Sequence, residues 1–141
     1  MILSSLEIIR RVDTGNLVLN PYSSECQQPA SYDLRSAEDI TLPKGKCTLV
    51  HTMEWVELPA DVAAKLMCRS SFGRRGVLIG AGFVDPGFRG NLTLCLVNMG
   101  DDDVDISSGK RVVQMIMHLV MDGSELYAGR YQDSLGVVEA Q

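Results

Sequence analysis

The chain has 141 residues, enough for one domain with a real core and too few for two ordinary ones. It is 45% hydrophobic and 22% charged, the balance of a globular protein, and its net charge of −5 excludes a protein that coats nucleic acid. No apolar run approaches the ~20 residues of a membrane helix. The start, MILSSLEIIRR, carries no secretory pattern, so a cytoplasmic chain without a membrane partner is expected.

Ser4 followed by Glu7 has capping-box spacing, and Leu6, Ile8, Ile9 and Val12 supply an apolar set, so one short helix is predicted there. Asp13-Thr14-Gly15-Asn16 is turn chemistry and ends it. The period then changes. Leu17–Leu19, Ile40–Leu42, Cys47–Val50 and Met53–Leu58 are β-type runs, punctuated by Pro21, Pro29, Pro43, Gly45 and Pro59. Ala63–Cys68, Val77–Ile79, Asn91–Asn98 and Val112–Val120 continue the pattern. In Asn91–Asn98 the residues Leu92, Leu94 and Leu96 share one face, and Thr93, Cys95 and Val97 the other. Asp101 to Asp103 reads as a solvated corner. Many short strands with Gly/Pro turns predict an all-β sandwich, jelly roll or small barrel as a single domain, 1–141. Residues 122–141 are less apolar and read as an arm or lid.

The chemistry concentrates between Arg69 and Gly90, RSSFGRRGVLIGAGFVDPGFRG. Arginines and small hydroxyls bind phosphate oxygens with charge-assisted bonds, and glycines let the backbone approach a flat ligand. Asp85 is the lone carboxylate of the segment and the expected handler of water's proton. The competing reading is a tight hairpin whose aspartate caps its own turn. Arg69, Arg74, Arg75 and Arg89 around it favour the site, because turns need no such charge.

Other candidates are weaker. His51 and Glu54 lie three apart in a strand-like context, facing opposite sides, which opposes metal ligation. His118 sits in an apolar run and reads as a core or interface histidine. The four cysteines, Cys26, Cys47, Cys68 and Cys95, form no CxxC pair and read as free thiols. Gly80-Ala81-Gly82 is followed by no helix, so a dinucleotide site is not expected.

Four segments together resemble the superfamily of trimeric dUTP pyrophosphatases (dUTPases) and dCTP deaminases. They are Pro29–Arg35 (PASYDLR), Arg69–Gly73 (RSSFG), Gly80–Gly90 (GAGFVDPGFRG) and Gly109–Ile116 (GKRVVQMI), in the family's order. The resemblance implies a distorted jelly-roll or β-barrel of the dUTPase type in a homotrimer with shared sites, and Val112–Val120 is a candidate threefold interface. The N-terminal half, with HTMEWVELP and the terminal YAGRYQ, looks deaminase-like. Two features look like dUTPases instead. Cys95 stands where the deaminases carry a glutamate in a TLEL-like context, and the connection GVLIGAGFVD is short. The glycine-rich tail motif of most dUTPases is absent.

By that resemblance the expected reaction is hydrolysis of dUTP to dUMP and pyrophosphate, with Mg²⁺ held mainly by the substrate's phosphates. Asp85 would activate water. Arg69, Ser70, Ser71, Gln114 and Arg130 would hold phosphate oxygens, with Asp33 and Arg74 supporting them. Gly80, Gly82 and Val84 would read the base, and Phe88 would pack beneath the deoxyribose. A dCTP deaminase, alone or bifunctional, is the first alternative, and a nucleotide-binding protein without turnover the second.

Overall fold

The Ser4 hydroxyl accepts a hydrogen bond from the Glu7 amide at 3.3 Å and starts helix α1, Ser5–Asp13. In this computed structural model, which describes residues 1–141, α1 is anchored through Arg11. Its guanidinium reaches Asp61 in a two-bond pair of 2.8 Å each and Glu7 at 2.7 Å. Ile8 points inward, fully buried.

The rest is mostly β: β1 Val18–Asn20, β2 Gln27–Gln28, β3 Ser31–Arg35, β4 Ile40–Leu42, β5 Cys47–Glu57, β6 Val62–Cys68, β7 Val77–Gly80, β8 Phe83–Val84, β9 Arg89–Asn98, β10 Val104–Ile106 and β11 Arg111–Leu119. They form a five-stranded sheet ordered β2-β3-β11-β6-β8, a four-stranded sheet β1-β5-β9-β7 and a small pair β10-β4. All the strand pairings are antiparallel. The sheets remain open at their edges and pack through one shared core. Tyr32 and Leu34 of β3, Val50 and Val56 of β5, Leu94 and Leu96 of β9, and Met115 and Met117 of β11 are wholly buried in it. Each such side chain contributes roughly 1.5–3 kcal/mol by leaving water.

β9 matches its predicted alternation, with the leucines inside and Thr93, Cys95 and Val97 half-exposed. Other elements differ from expectation. Cys47–Val50 and Met53–Leu58 are one long strand, because the β5–β9 ladder shifts register between His51 and Trp55. Buried Thr52 fills that break. Its hydroxyl accepts from Leu92 N at 3.0 Å and donates to Glu54 O at 2.8 Å, while Asn91 Nδ2 donates to the Thr52 and Glu54 carbonyls. A second helical turn, α2 Ser70–Gly73, also appears. The short strands β3 and β10 are held by pairing with β11 and β4, contacts invisible to local periodicity. β11 buries Val112, Val113, Met115 and Met117 within its own chain, so its apolar character needs no second subunit. His118 is half-exposed, opposite Ala63 and bridged to Ile2, not a core histidine.

Glu54 is fully buried and receives Arg35 Nε at 2.7 Å and the Arg35 amide at 3.0 Å; Arg35 Nη2 continues to the Pro21 carbonyl at 2.6 Å. The pair ties β5 of one sheet to β3 of the other. His51, three residues earlier, lies near Glu38 at 3.5 Å on the opposite side of the strand, so the two never converge on a metal. Replacing Glu54 by Ala leaves a guanidinium without its partner and should cost about 3–5 kcal/mol in urea unfolding, with Glu54→Gln costing less. Equal stability of Glu54→Ala and wild type would show that the pair is not what joins the sheets.

Candidate functional site

One group of candidate residues forms at the end of the five-stranded sheet. Asp33 lies on β3 with 2% of its surface exposed, and Gln114 of β11 stands directly opposite it in register. Arg69 follows β6, and its amide donates to Val112 O at 2.9 Å, which fixes its backbone against β11. Its Nε reaches Asp33 Oδ2 at 3.0 Å, and Arg111 Nη1 reaches the same oxygen at 3.5 Å. Burial pushes the Asp33 carboxyl above its usual range, and the Arg69 and Arg111 charges pull it partly back. Ser70 and Ser71 open α2 beside Arg69 and are exposed, as is Arg74 at its end. Two aimed guanidiniums and two free hydroxyls can bind an anion with several oxygens.

Asp85 belongs to a second group. It follows β8, exposed at the head of a turn that the Phe88 N–H closes onto the Asp85 carbonyl at 3.2 Å. Asp85 lines two cavities. One of about 520 Å³ lies between the turn and residues 120–127. The other, of about 420 Å³, is mostly apolar and is lined by Leu49, Leu66, Phe88, Asn91, Cys95 and Tyr127 among others. That size suits a nucleoside-sized ligand. Phe88 is 7% exposed, with its ring 5.9 Å from that of Tyr127. Gly82 and Val84 line the same cavity, though the Gly82 carbonyl already accepts from Leu66 N at 2.7 Å. Gly80 pairs with Cys95 at the cavity's strand edge.

Within one chain the two groups do not meet, which corrects the sequence picture of Asp85 surrounded by arginines. Lys65 of β6 faces Phe83 and Ala64 faces Val84, so Asp85 comes level with Ala63. Arg69 lies six residues further along the same strand line, roughly 20 Å away at the rise of extended chain. Arg74 and Arg75 stay with Arg69, beyond α2. Only Arg89 is near the turn, and Asp133 engages it at 3.0 Å. Arg130, expected on phosphate, is exposed and donates to the Gln141 carbonyl at 2.8 Å.

Within residues 122–141, expected as an arm or lid, residues 127–138 lie along the Asp85 turn and β9. Asn91 N–H donates to Ser134 O at 2.8 Å, and Val138 N–H to Thr93 Oγ1 at 3.0 Å. Two other glycines of the Arg69–Gly90 stretch, Gly87 and Gly90, make room for this segment. A Cβ on Gly87 would sit 2.8 Å from Leu126 Cβ, and one on Gly90 would sit 2.8 Å from Ser134 N. Leu49 and Leu66 carry no local signal of a site; only the pairing of distant strands brings them to the cavity. Cys95 faces that cavity, and burial, then Cys47, pushes its thiol up, so it is protonated at neutral pH.

A dCTP deaminase-like family model matches residues 35–120. A curated dCTP deaminase of Pyrococcus horikoshii is 35% identical over 138 residues, covering 86% of this chain and 88% of its own. A dUMP-forming dCTP deaminase of Methanosphaera stadtmanae is 34% identical over 161 residues, covering 88% and 82%. Among solved structures, the 2'-deoxycytidine 5'-triphosphate deaminase of Agrobacterium tumefaciens superposes with a TM-score of 0.73 at 20% identity, over 84% of this chain and 48% of that one. This chain thus spans about half the length of that deaminase. A native EIAV dUTPase superposes at 0.64 with 21% identity, over 82% and 98%.

Because the folded Asp33 carboxyl titrates above its ordinary 3.8, the folded chain holds a proton the unfolded chain has lost, and stability falls as pH rises through that window. Asp33→Asn removes the titration. The melting temperature of wild type minus that of Asp33→Asn should therefore decline as pH rises from about 3.5. A difference that grows with pH would mean that the two arginines more than offset the burial.

Proposed function

Because the chain belongs to the dCTP deaminase-like family, within the superfamily that also contains the dUTPases, we propose that it acts on a deoxypyrimidine nucleoside triphosphate and that its own residues favour hydrolysis of dUTP to dUMP and pyrophosphate. Cys95 carries the choice. Ring deamination needs a group that takes a proton and returns it, and the family's deaminases use a glutamate at this position. A thiol held protonated by burial is a poor substitute. Cleavage at the α-phosphorus makes no such demand on the base.

In this reading the base and sugar enter the apolar cavity, with Phe88 beneath the deoxyribose. Asp85, exposed at the cavity mouth, orients water and takes its proton. Arg69, Ser70, Ser71 and Gln114 hold phosphate oxygens, with Asp33 aiming Arg69. Mg²⁺ would be carried by the phosphates and offset charge on the leaving pyrophosphate. Both arginines use Oδ2 of Asp33, which leaves Oδ1 for the ion's water shell. The separation of the two groups along β6 supports assembly across subunits, the Asp85 half of one copy facing the Arg69 half of its neighbour in a homotrimer. A cytoplasmic setting fits four free cysteines.

The relatives' names lean the other way, toward dCTP deamination, and that is the second reading. Incubation with dCTP, dUTP, dTTP and UTP, scored for ammonia and for pyrophosphate, separates the two. Pyrophosphate from dUTP without ammonia from dCTP is expected; ammonia from dCTP would establish deamination. Asp85→Asn should lower kcat about 10²- to 10⁴-fold while nucleotide still binds. A near-normal rate would assign water to another group. If the acid missing at position 95 is what bars deamination, Cys95→Glu should raise ammonia release from dCTP above that of wild type.

A further inference from the structure

We propose that Gln132, carried by the chain's own C-terminal segment, is a positioning residue that sets the conformation of the Asp85 turn; this deepens the reading above and rests on Asp85 being the group that handles water. The segment satisfies the turn's backbone residue by residue. Tyr127 N–H donates to the Pro86 carbonyl at 2.7 Å. Gln132 covers the next positions with one amide: Nε2 donates to Gly87 O at 2.8 Å, and Oε1 accepts from Arg89 N at 2.8 Å. The Asp133 N–H then donates to Arg89 O at 2.8 Å, and its carboxylate holds Arg89 Nη2 at 3.0 Å.

Gln132 also ties the strap to itself, since Nε2 donates to Tyr127 O at 3.2 Å. From the opposite side the turn is bonded to Leu58, which accepts from Gly87 N at 2.9 Å and donates to Phe88 O at 3.0 Å. The turn is therefore clamped between β5's end and the tail. Gly87 and Gly90 leave the space the tail fills, as any Cβ there would collide with it. Asp133 itself adopts a φ of 59°, a left-handed conformation that aspartate tolerates better than most residues.

The amide is matched to its place. Gln132 needs a donor toward two carbonyls and an acceptor toward one N–H, and glutamine supplies both. A glutamate keeps the acceptor but, when ionised, turns a second negative oxygen toward Gly87 O and Tyr127 O. Protonation gives back a donor. A pH-dependent recovery in Gln132→Glu is thus the signature of positioning through these bonds, which loss of packing alone would not produce.

The test uses the full-length protein with dUTP and Mg²⁺. Gln132→Ala should lower kcat about 10- to 100-fold, the cost of a reacting group displaced by about 1 Å, with KM changed far less. Gln132→Glu should be comparably slow at pH 8 and recover relative to wild type as pH falls toward 6. Amide exchange at Arg89 should be faster in Gln132→Ala, a readout independent of turnover. Wild-type kcat in both variants, or unchanged exchange at Arg89, overturns the proposal. A wild-type protein that releases no pyrophosphate from dUTP overturns the functional reading instead, while the exchange data still decide whether Gln132 holds the turn.

Discussion

Strand β6 acts as a ruler between the two chemical halves of this molecule. Its pairing with β8 places Asp85 level with Ala63, and its far end delivers Arg69 to the buried Asp33. An extended strand cannot shorten, so no rotamer change within one chain brings the carboxylate to the guanidiniums. A site that uses both must recruit them from different copies. In the proposed reading each subunit would offer an anion-binding edge and a base cavity, the two completed across an assembly of chains.

Buried polar groups elsewhere follow one rule: each meets a hydrogen-bond partner, within its own sheet or on a neighbouring element. Glu54 meets Arg35, Thr52 meets Leu92 and Glu54, and Asn98 donates to Leu42 O and Asp102 O. No buried side-chain nitrogen or oxygen lacks a hydrogen bond. These contacts matter to the site because β9 carries both its break in register and the cavity face of Thr93 and Cys95. Thr52 and Asn91 make the break tolerable, and β9 then resumes its pairing with β5 from Thr93 to Val97.

The glycines of the Asp85 turn illustrate how one residue type answers to two demands. Their spacing invites a ligand, yet the space beside Gly87 and Gly90 is occupied by the chain's own tail. The tail covers the turn's backbone and one wall of the cavity while the Asp85 side chain stays in solvent. Fixing the backbone and freeing the carboxylate is the arrangement a proton-handling group requires.

Much was legible from the residues alone. The Ser4 cap, the inward leucines of Asn91–Asn98 and the mostly-β class follow from local chemistry and periodicity, which depend only on neighbours in the chain. Four ordered motifs identified the superfamily, and the Cys95 substitution could be seen in a single segment. The tertiary structure decided what depends on distant pairing: that β5 is one strand across a break, that Asp33 is buried between two arginines, that Leu49 and Leu66 line the cavity, and that Arg69 and Asp85 stand apart. Proximity in sequence suggested they were neighbours, but α2 and β7 intervene and the antiparallel return sets Asp85 beside the start of β6, away from the end that holds Arg69.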